Sequence, residues 1–348
     1  MNTRFTLSLD AMGGDHAPRM VVEGIEIASE RLPHVDFLLF GDEKRIAPLI
    51  DACPRAKACS QIIHTDDAVQ NETKAAVALR RGRNTSMRLA INSVKDGRAA
   101  GIISAGNTGA LMAMAKVVLR MLPGIDRPAI ATYFPTQRGD SVMLDLGANV
   151  ECDERNLVQF AVMGEVFARN VLGIQQPSIG LLNVGVEGFK GNDAVRAASD
   201  ILRDSTLPIK FHGFVEGDDI GLGTVDVVVT DGFTGNIALK TTEGTAKMVA
   251  YFLKQALTGS LMAKLGALLA RPALNQLRMR MDPRRYNGAM LVGLNGICVK
   301  SHGSTDELGF ANAIGVAANL VTGEFNERIK EDMGGINIDQ SSNEVAES

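Results

Sequence analysis

The chain lacks tryptophan, has only 5% aromatic residues, and carries four cysteines among its 348 residues. Cys53, Cys59, Cys152 and Cys298 form no C-x-x-C pair, which argues against a disulfide framework or a zinc cluster and reads as reduced thiols in a cytoplasmic protein. No run approaches the roughly 20 apolar residues of a membrane span, and the opening MNTRFTLSLDAM has no long apolar core of a secretory signal. A net charge of −4 speaks against wholesale nucleic-acid binding. The motifs of familiar chemistries are missing too. There is no G-x-G-x-x-G or G-x-x-x-x-G-K-[ST] phosphate loop, no G-x-S-x-G elbow and no H-E-x-x-H. These absences lead us to expect no metal, no cofactor and no covalent serine or cysteine intermediate; Cys152 alone lies in a strand-to-helix loop.

What is present is one module, repeated. A short apolar strand meets a Gly/Asn-rich loop, and an Ala-rich helix follows: AAGIIS–AGNTGA, SVMLDL–GANVECDER, SIGLLNVG–VEGFKGN, VDVVVT–DGFTGN and LNGICVK–SHGSTDEL, preceded by FTLSLDAM–GGDHAP. VDFLLFGD and SQIIHTD add two more strands. Runs rich in Val and Ile without alternation suit parallel strands buried on both faces. The fold class is therefore α/β: a Rossmann-like, three-layer α/β/α unit with a mostly parallel sheet. With no Pro/Gly/Ser-rich linker, it reads as one domain over residues 1–335, with a helical arm at about 245–285 and a polar, flexible tail over 336–348.

Ligands of open α/β sheets bind beyond the carboxyl ends of the strands. That rule gathers Asp10, Gly13, Gly14, Asp15, His16, Asn107, Asn149, Asn192, Asp231 and Asn236 as substrate-binding candidates, with Lys190, Lys300 and His302 as catalytic ones, in a single cleft. Free helix N–H groups, neutral amides and a few cations suit an oxyanion or a phosphate. Each candidate has a plainer alternative: Asp10 as a turn cap, His16 as a surface histidine, the asparagines as simple helix N-caps. Inorganic phosphate attacking an activated acyl carbonyl needs little beyond positioning and an oxyanion hole.

The loops as an ordered set, LDAMGGDHAP, SAGNTGA, LDLGAN, NVGVEGFKGN, DVVVTDGFTGN and GLNGICVKSHGS, resemble the bacterial phosphate acyltransferase family of phospholipid synthesis, the PlsX type. The resemblance runs from about Arg4 to Gly323. It implies transfer of a fatty acyl chain from acyl carrier protein to inorganic phosphate, a fold related to phosphotransacetylases, a homodimer, and a membrane glycerol-phosphate acyltransferase that consumes the product. Gly188-Phe189, Phe214 and Asp218 depart from the family pattern.

Between Glu243 and Asp282 there is no acid, and the bases are Lys247, Lys254, Lys264, Arg271, Arg278 and Arg280. Leu261, Leu265, Leu268 and Leu269 share one helical face, flanked by Lys264 and Arg271. A basic amphipathic helix reads as a peripheral membrane contact or as a dock for acidic acyl carrier protein; an arm packed in a dimer is the plainer reading. Three functions compete: the acyltransferase, including a phosphotransacetylase-like enzyme acting on another thioester; a dehydrogenase, which lacks its dinucleotide loop; and a non-enzymatic membrane scaffold, which would leave the strand-end loops unexplained.

Overall fold

In this computed structural model residues 4–205, 207 and 209–334 are described. The expected tail lies outside them. The first half of the chain comprises β1 (Phe5–Asp10), α1 (Arg19–Arg31), β2 (Val35–Gly41), α2 (Glu43–Asp51), α3 (Pro54–Cys59), β3 (Ser60–His64), α4 (Ala75–Arg81), α5 (Ser86–Lys95), β4 (Gly101–Ser104), α6 (Thr108–Leu119), β5 (Ala129–Pro135) and β6 (Asp140–Leu144). The second half comprises α7 (Glu154–Leu172), β7 (Ser178–Leu182), α8 (Asp193–Asp204), β8 (Lys210–Val215), α9 (Gly217–Leu222), β9 (Val227–Val229), α10 (Gly232–Thr258), α11 (Leu261–Leu269), α12 (Arg271–Arg280), β10 (Ala289–Val292), β11 (Ile297–Lys300), α13 (Glu307–Thr322) and α14 (Phe325–Gly334).

Among the described residues eleven strands join one sheet, in the order β3-β2-β1-β4-β11-β10-β5-β6-β9-β7-β8. The apolar runs have a physical reason. In β2, Phe37 and Leu39 enter the core on one face while Leu38 and Phe40 enter the core on the other. A strand buried on both sides has no polar position to spare. Helices α1, α7, α13 and α14 supply the first core, and α5 and α6 the second. Each large side chain so buried contributes about 1.5–3 kcal/mol. Helix starts are fixed by side chains: Thr85, Asn107, Asp153, Asn192, Asp231, Ser260 and Asp306 each accept a backbone N–H of the first turn.

The sheet is mostly parallel, but β10 runs antiparallel to both β11 and β5, and β5 antiparallel to β6. Three successive reversals leave β6, β9, β7 and β8 pointing opposite to β3, β2, β1, β4 and β11. The carboxyl ends of the two halves therefore lie on opposite edges of the sheet. The expectation of a single strand-end cleft is corrected here. The loops after β1, β4 and β11 form one group; those after β6, β9 and β7 form another.

The helix that leads into the arm, α10, begins directly at the DGFTGN loop, with Gly232 and Gly235 buried, and runs 27 residues, about 40 Å at 1.5 Å per residue. Breaks fall at Gly259-Ser260 and at Ala270. Pro272 lies in the first turn of α12, where its missing N–H costs no helical bond. No residue of α11 or α12 is buried, and Leu261, Lys264, Leu265, Leu268, Leu269 and Arg271 are all exposed.

Candidate active site

At the first edge, β1 delivers Asp10 into the interior, 1% exposed. Its carboxylate accepts from the hydroxyls of Ser86 at 2.6 Å and Ser104 at 2.7 Å, with the Met12 N–H at 3.3 Å. Burial raises its pKa against the pull of those hydroxyls. Asp10 is thus not a simple turn cap. The following turn is tight: a Cβ on Gly13 would stand 2.4 Å from Asp10 Oδ2 and 2.7 Å from the Gly106 nitrogen. Gly14 takes φ +106°, in the left-handed region, where a side chain would be strained. The turn packs against the β11–α13 loop, with Asp15 N–H donating to the Gly303 carbonyl at 2.8 Å.

Lys300 ends β11 beside this turn. Its ammonium donates to the Ala105 carbonyl at 3.4 Å and to the Ser301 carbonyl, leaving one of its three N–H bonds for a ligand. Burial pushes its pKa down to about 8, although Asp10 and Asp15 pull it upward. His302 is exposed; its Nδ1 lies 3.0 Å from the Ser304 hydroxyl. His16 is exposed as well. Asn107 has a structural assignment: Oδ1 caps α6, and Nδ2 donates to the carbonyls of Asn71 at 2.7 Å and Thr73 at 3.1 Å.

The second edge is built around Asp145, which is fully buried. Its carboxylate accepts the N–H groups of Ile130, Gly147, Ala148 and Asn149 and the Asn149 amide, at 2.7–3.2 Å. The N–H cradle of the GAN loop, a ready anion site by sequence, is filled by the protein's own carboxylate. Asn149 is consumed in that network and in a bond to the Pro128 carbonyl at 2.8 Å. Asp231 and Asn192 are N-caps, of α10 and α8. Asn236 lies against Gly147 without capping a helix. Lys190 is half-buried, its ammonium 5.7 Å from the Phe189 ring, in the loop after β7. Burial, with Asp145 and Asp231 nearby, pushes the Cys152 thiol up to about 12, far from a reactive thiolate.

The structure thus unites Asp10, Gly13, Gly14, Asp15, Asn107, Lys300 and His302, and separately Asn149, Asp231, Asn236, Lys190 and Asn192. It does not place Lys190 beside His302 within one chain. Sequence reasoning missed Ser86 and Ser104, the hydroxyls that hold Asp10. A lone serine carries no periodic signal; the only cue for Ser86 was its place directly after a capping threonine. Among the described residues, Asp42, His64 and Asp66 cluster as potential metal ligands, but Asp66 and His64 are exposed and His64 Nδ1 already accepts the Glu43 N–H at 3.2 Å.

The fold is that of the phosphotransacetylase-like α/β proteins. A phosphotransacetylase from Streptococcus pyogenes superposes with a TM-score of 0.60 over 92% of this chain and 94% of that one, at 16% identity. The EutD phosphotransacetylase from Staphylococcus aureus gives 0.58 over 91% and 94%, also at 16% identity. More particularly, the profile of the family described as "Fatty acid synthesis protein" matches residues 5–328. Proteins named phosphate acyltransferase are 64% identical in Rhodospirillum centenum, over 96% of this chain and 94% of that protein, and 63% identical in Paramagnetospirillum magneticum, over 95% of each. The chain belongs to this phosphate acyltransferase family.

Proposed function

We propose that the protein transfers a fatty acyl group from the thioester of acyl carrier protein to inorganic phosphate. A phosphate oxygen attacks the thioester carbonyl carbon and forms the new C–O bond. The tetrahedral oxyanion then collapses, the C–S bond breaks, and the thiolate leaves with a proton. The observation that carries this reading is Lys300: a desolvated cation at a strand end, with one unclaimed donor, beside a buried carboxylate. Low local dielectric strengthens its hold on phosphate and on the oxyanion. His302, exposed at the same edge, supplies the proton to the departing thiolate and takes one back from the hydrogen phosphate as it becomes acyl phosphate. No step needs an enzyme nucleophile, since phosphate is already one.

The leucines of α11 and its flanking bases support peripheral attachment to an anionic membrane surface, where a poorly soluble acyl phosphate would be handed on. No described helix is long and apolar enough to cross a membrane. The exposed Met248, Val249, Tyr251 and Phe252 of α10 favour a second copy of the chain as partner. The test is release of free thiol from long-chain acyl–acyl carrier protein, measured with and without phosphate. Dependence on phosphate, with acyl phosphate as product, is expected. An acylated enzyme trapped when phosphate is withheld would refute the direct mechanism.

A further inference from the structure

The arm re-enters the body next to Lys300. After α12 the chain makes a short 3-10 turn, Pro283–Tyr286, and arrives at Asn287, which is buried. The Asn287 amide is fully used. Oδ1 accepts the His302 backbone N–H at 2.8 Å, and Nδ2 donates to the Ser301 hydroxyl at 2.8 Å and the Gly309 carbonyl at 2.7 Å, with the Thr305 hydroxyl at 3.3 Å. One side chain thus ties the root of the arm to the loop after β11 and to the first turn of α13. Arg284 reinforces the tie. Its guanidinium pairs with Asp282, within the root, and reaches Asp306 at 3.1 Å; Asp306 in turn caps α13 through the Gly309 N–H at 3.0 Å. The Asn312 amide donates to the Arg284 carbonyl at 2.8 Å.

We propose that Asn287 is a positioning residue for acyl transfer: it fixes the backbone of Ser301 and His302, and through them Lys300, so that the root of the arm sets the geometry of the site. The inference rests on reading the Lys300 edge as the reacting one. The Ser301 carbonyl is one of the two that hold the Lys300 ammonium, and the Ser301 hydroxyl and the next N–H are both held by Asn287. Lengthening those bonds lets the loop move and water reach the ammonium. An ångström of misplacement at a reacting group costs up to about a hundredfold in rate.

The experiment compares Asn287→Ala, Arg284→Ala, Lys300→Ala and Phe325→Leu in the full chain, using phosphate-dependent thiol release from acyl–acyl carrier protein. Phe325 is fully buried against Phe167 in α14, so its truncation lowers stability without touching the loop. Asn287→Ala is expected to lower kcat about ten- to hundredfold, with the KM for phosphate changed far less. The alkaline limb of kcat/KM, set by Lys300 near pH 8, should move to higher pH. The charged groups facing Lys300 are Asp10 and Asp15, and neither is altered. Arg284→Ala, which leaves the buried amide in place, should shift the limb less and in the same direction; it keeps the idea testable should Asn287→Ala not fold. Phe325→Leu should match the loss in melting temperature and keep the native kcat and limb. Native kcat and limb in both Asn287→Ala and Arg284→Ala, with Lys300→Ala inactive, would overturn the inference alone. A Lys300→Ala enzyme running at the native rate would overturn the site assignment, and the inference with it.

Discussion

Asp10, the last residue of β1, and Asp145, the first residue after β6, are both buried and both precede a glycine-rich turn, yet their carboxylates have different partners. Asp145 accepts four backbone N–H groups and an amide. Asp10 accepts two hydroxyls and one distant backbone N–H. The first carboxylate is closed off by its own loop, an internal anion that organises the β6–α7 connection. The second stands next to a desolvated lysine with a donor to spare. A Gly/Asn-rich loop at a strand end is therefore not by itself a ligand site. What matters is whether the protein already fills it.

The comparison is broken most directly at the two lysines. Lys300→Ala should cost about 10²–10³ in kcat, the scale of losing one preorganised donor to an oxyanion, whereas Lys190→Ala should cost less than about tenfold. Steady-state rates against acyl–acyl carrier protein and phosphate decide this. If the two losses are equal, both edges supply reacting groups, and two copies of the chain must meet to form the site.

The aspartates should separate stability from activity. Asp145→Ala strands several buried N–H groups and should lower unfolding free energy by about 3 kcal/mol or more, read by urea denaturation, with kcat per folded molecule near native. Asp10→Asn keeps the shape and should do the reverse, lowering kcat about tenfold with a smaller change in denaturation midpoint. Equal behaviour of the two variants would erase the distinction.

The pH dependence sharpens it further. Lys300 acts as a cation, so kcat/KM should fall as pH rises through about 8. The sign for stability is opposite. The folded-state pKa lies below the ordinary 10.5, so the unfolded chain holds more protons between those values, and this group makes stability rise with pH across about 8 to 10.5. Lys300→Ala should lose that rise in melting temperature; its persistence would mean that the lysine is hydrated.

The smallest effect on the body is expected at the arm. Leu265 and Leu268 are 54% and 61% exposed, so replacing both with Glu should change unfolding free energy by less than about 0.5 kcal/mol per site and leave turnover in solution intact. Sedimentation with anionic vesicles should be lost. Retained sedimentation would remove the leucine face as the contact.

Much of the fold was legible because strands buried on both faces must be apolar throughout. The reversal was not, because it depends on the strands left unread. AIATYFP and AMLV, now β5 and β10, lead into another strand and lack the loop-and-helix module behind them. They are also the ones that turn half the sheet around. The same logic explains the site. Lys300 and Asp10 were visible as charges at the ends of apolar runs. Whether Asn107, Asn149 and Asn192 bind a ligand or hold the chain could not be read from spacing, since an N-cap asparagine and a ligand asparagine occupy the same position. Asn287 was invisible for a simpler reason: its partners lie 14 to 22 residues away.

Joining eleven strands into one sheet also limits how the protein can self-associate wrongly. Among the described residues, β3 and β8 are the two end strands of the sheet, and neither is a good template for another chain. β3 spans five residues, with exposed Gln61 and His64. β8 carries exposed Lys210 and His212, has Gly213 at φ +111°, and pairs with β7 through a register shift at Ile179/Gly180. A kinked, charged border resists edge-to-edge stacking, so the apolar strands inside the sheet are shielded from edge-to-edge, amyloid-like pairing when the protein is concentrated.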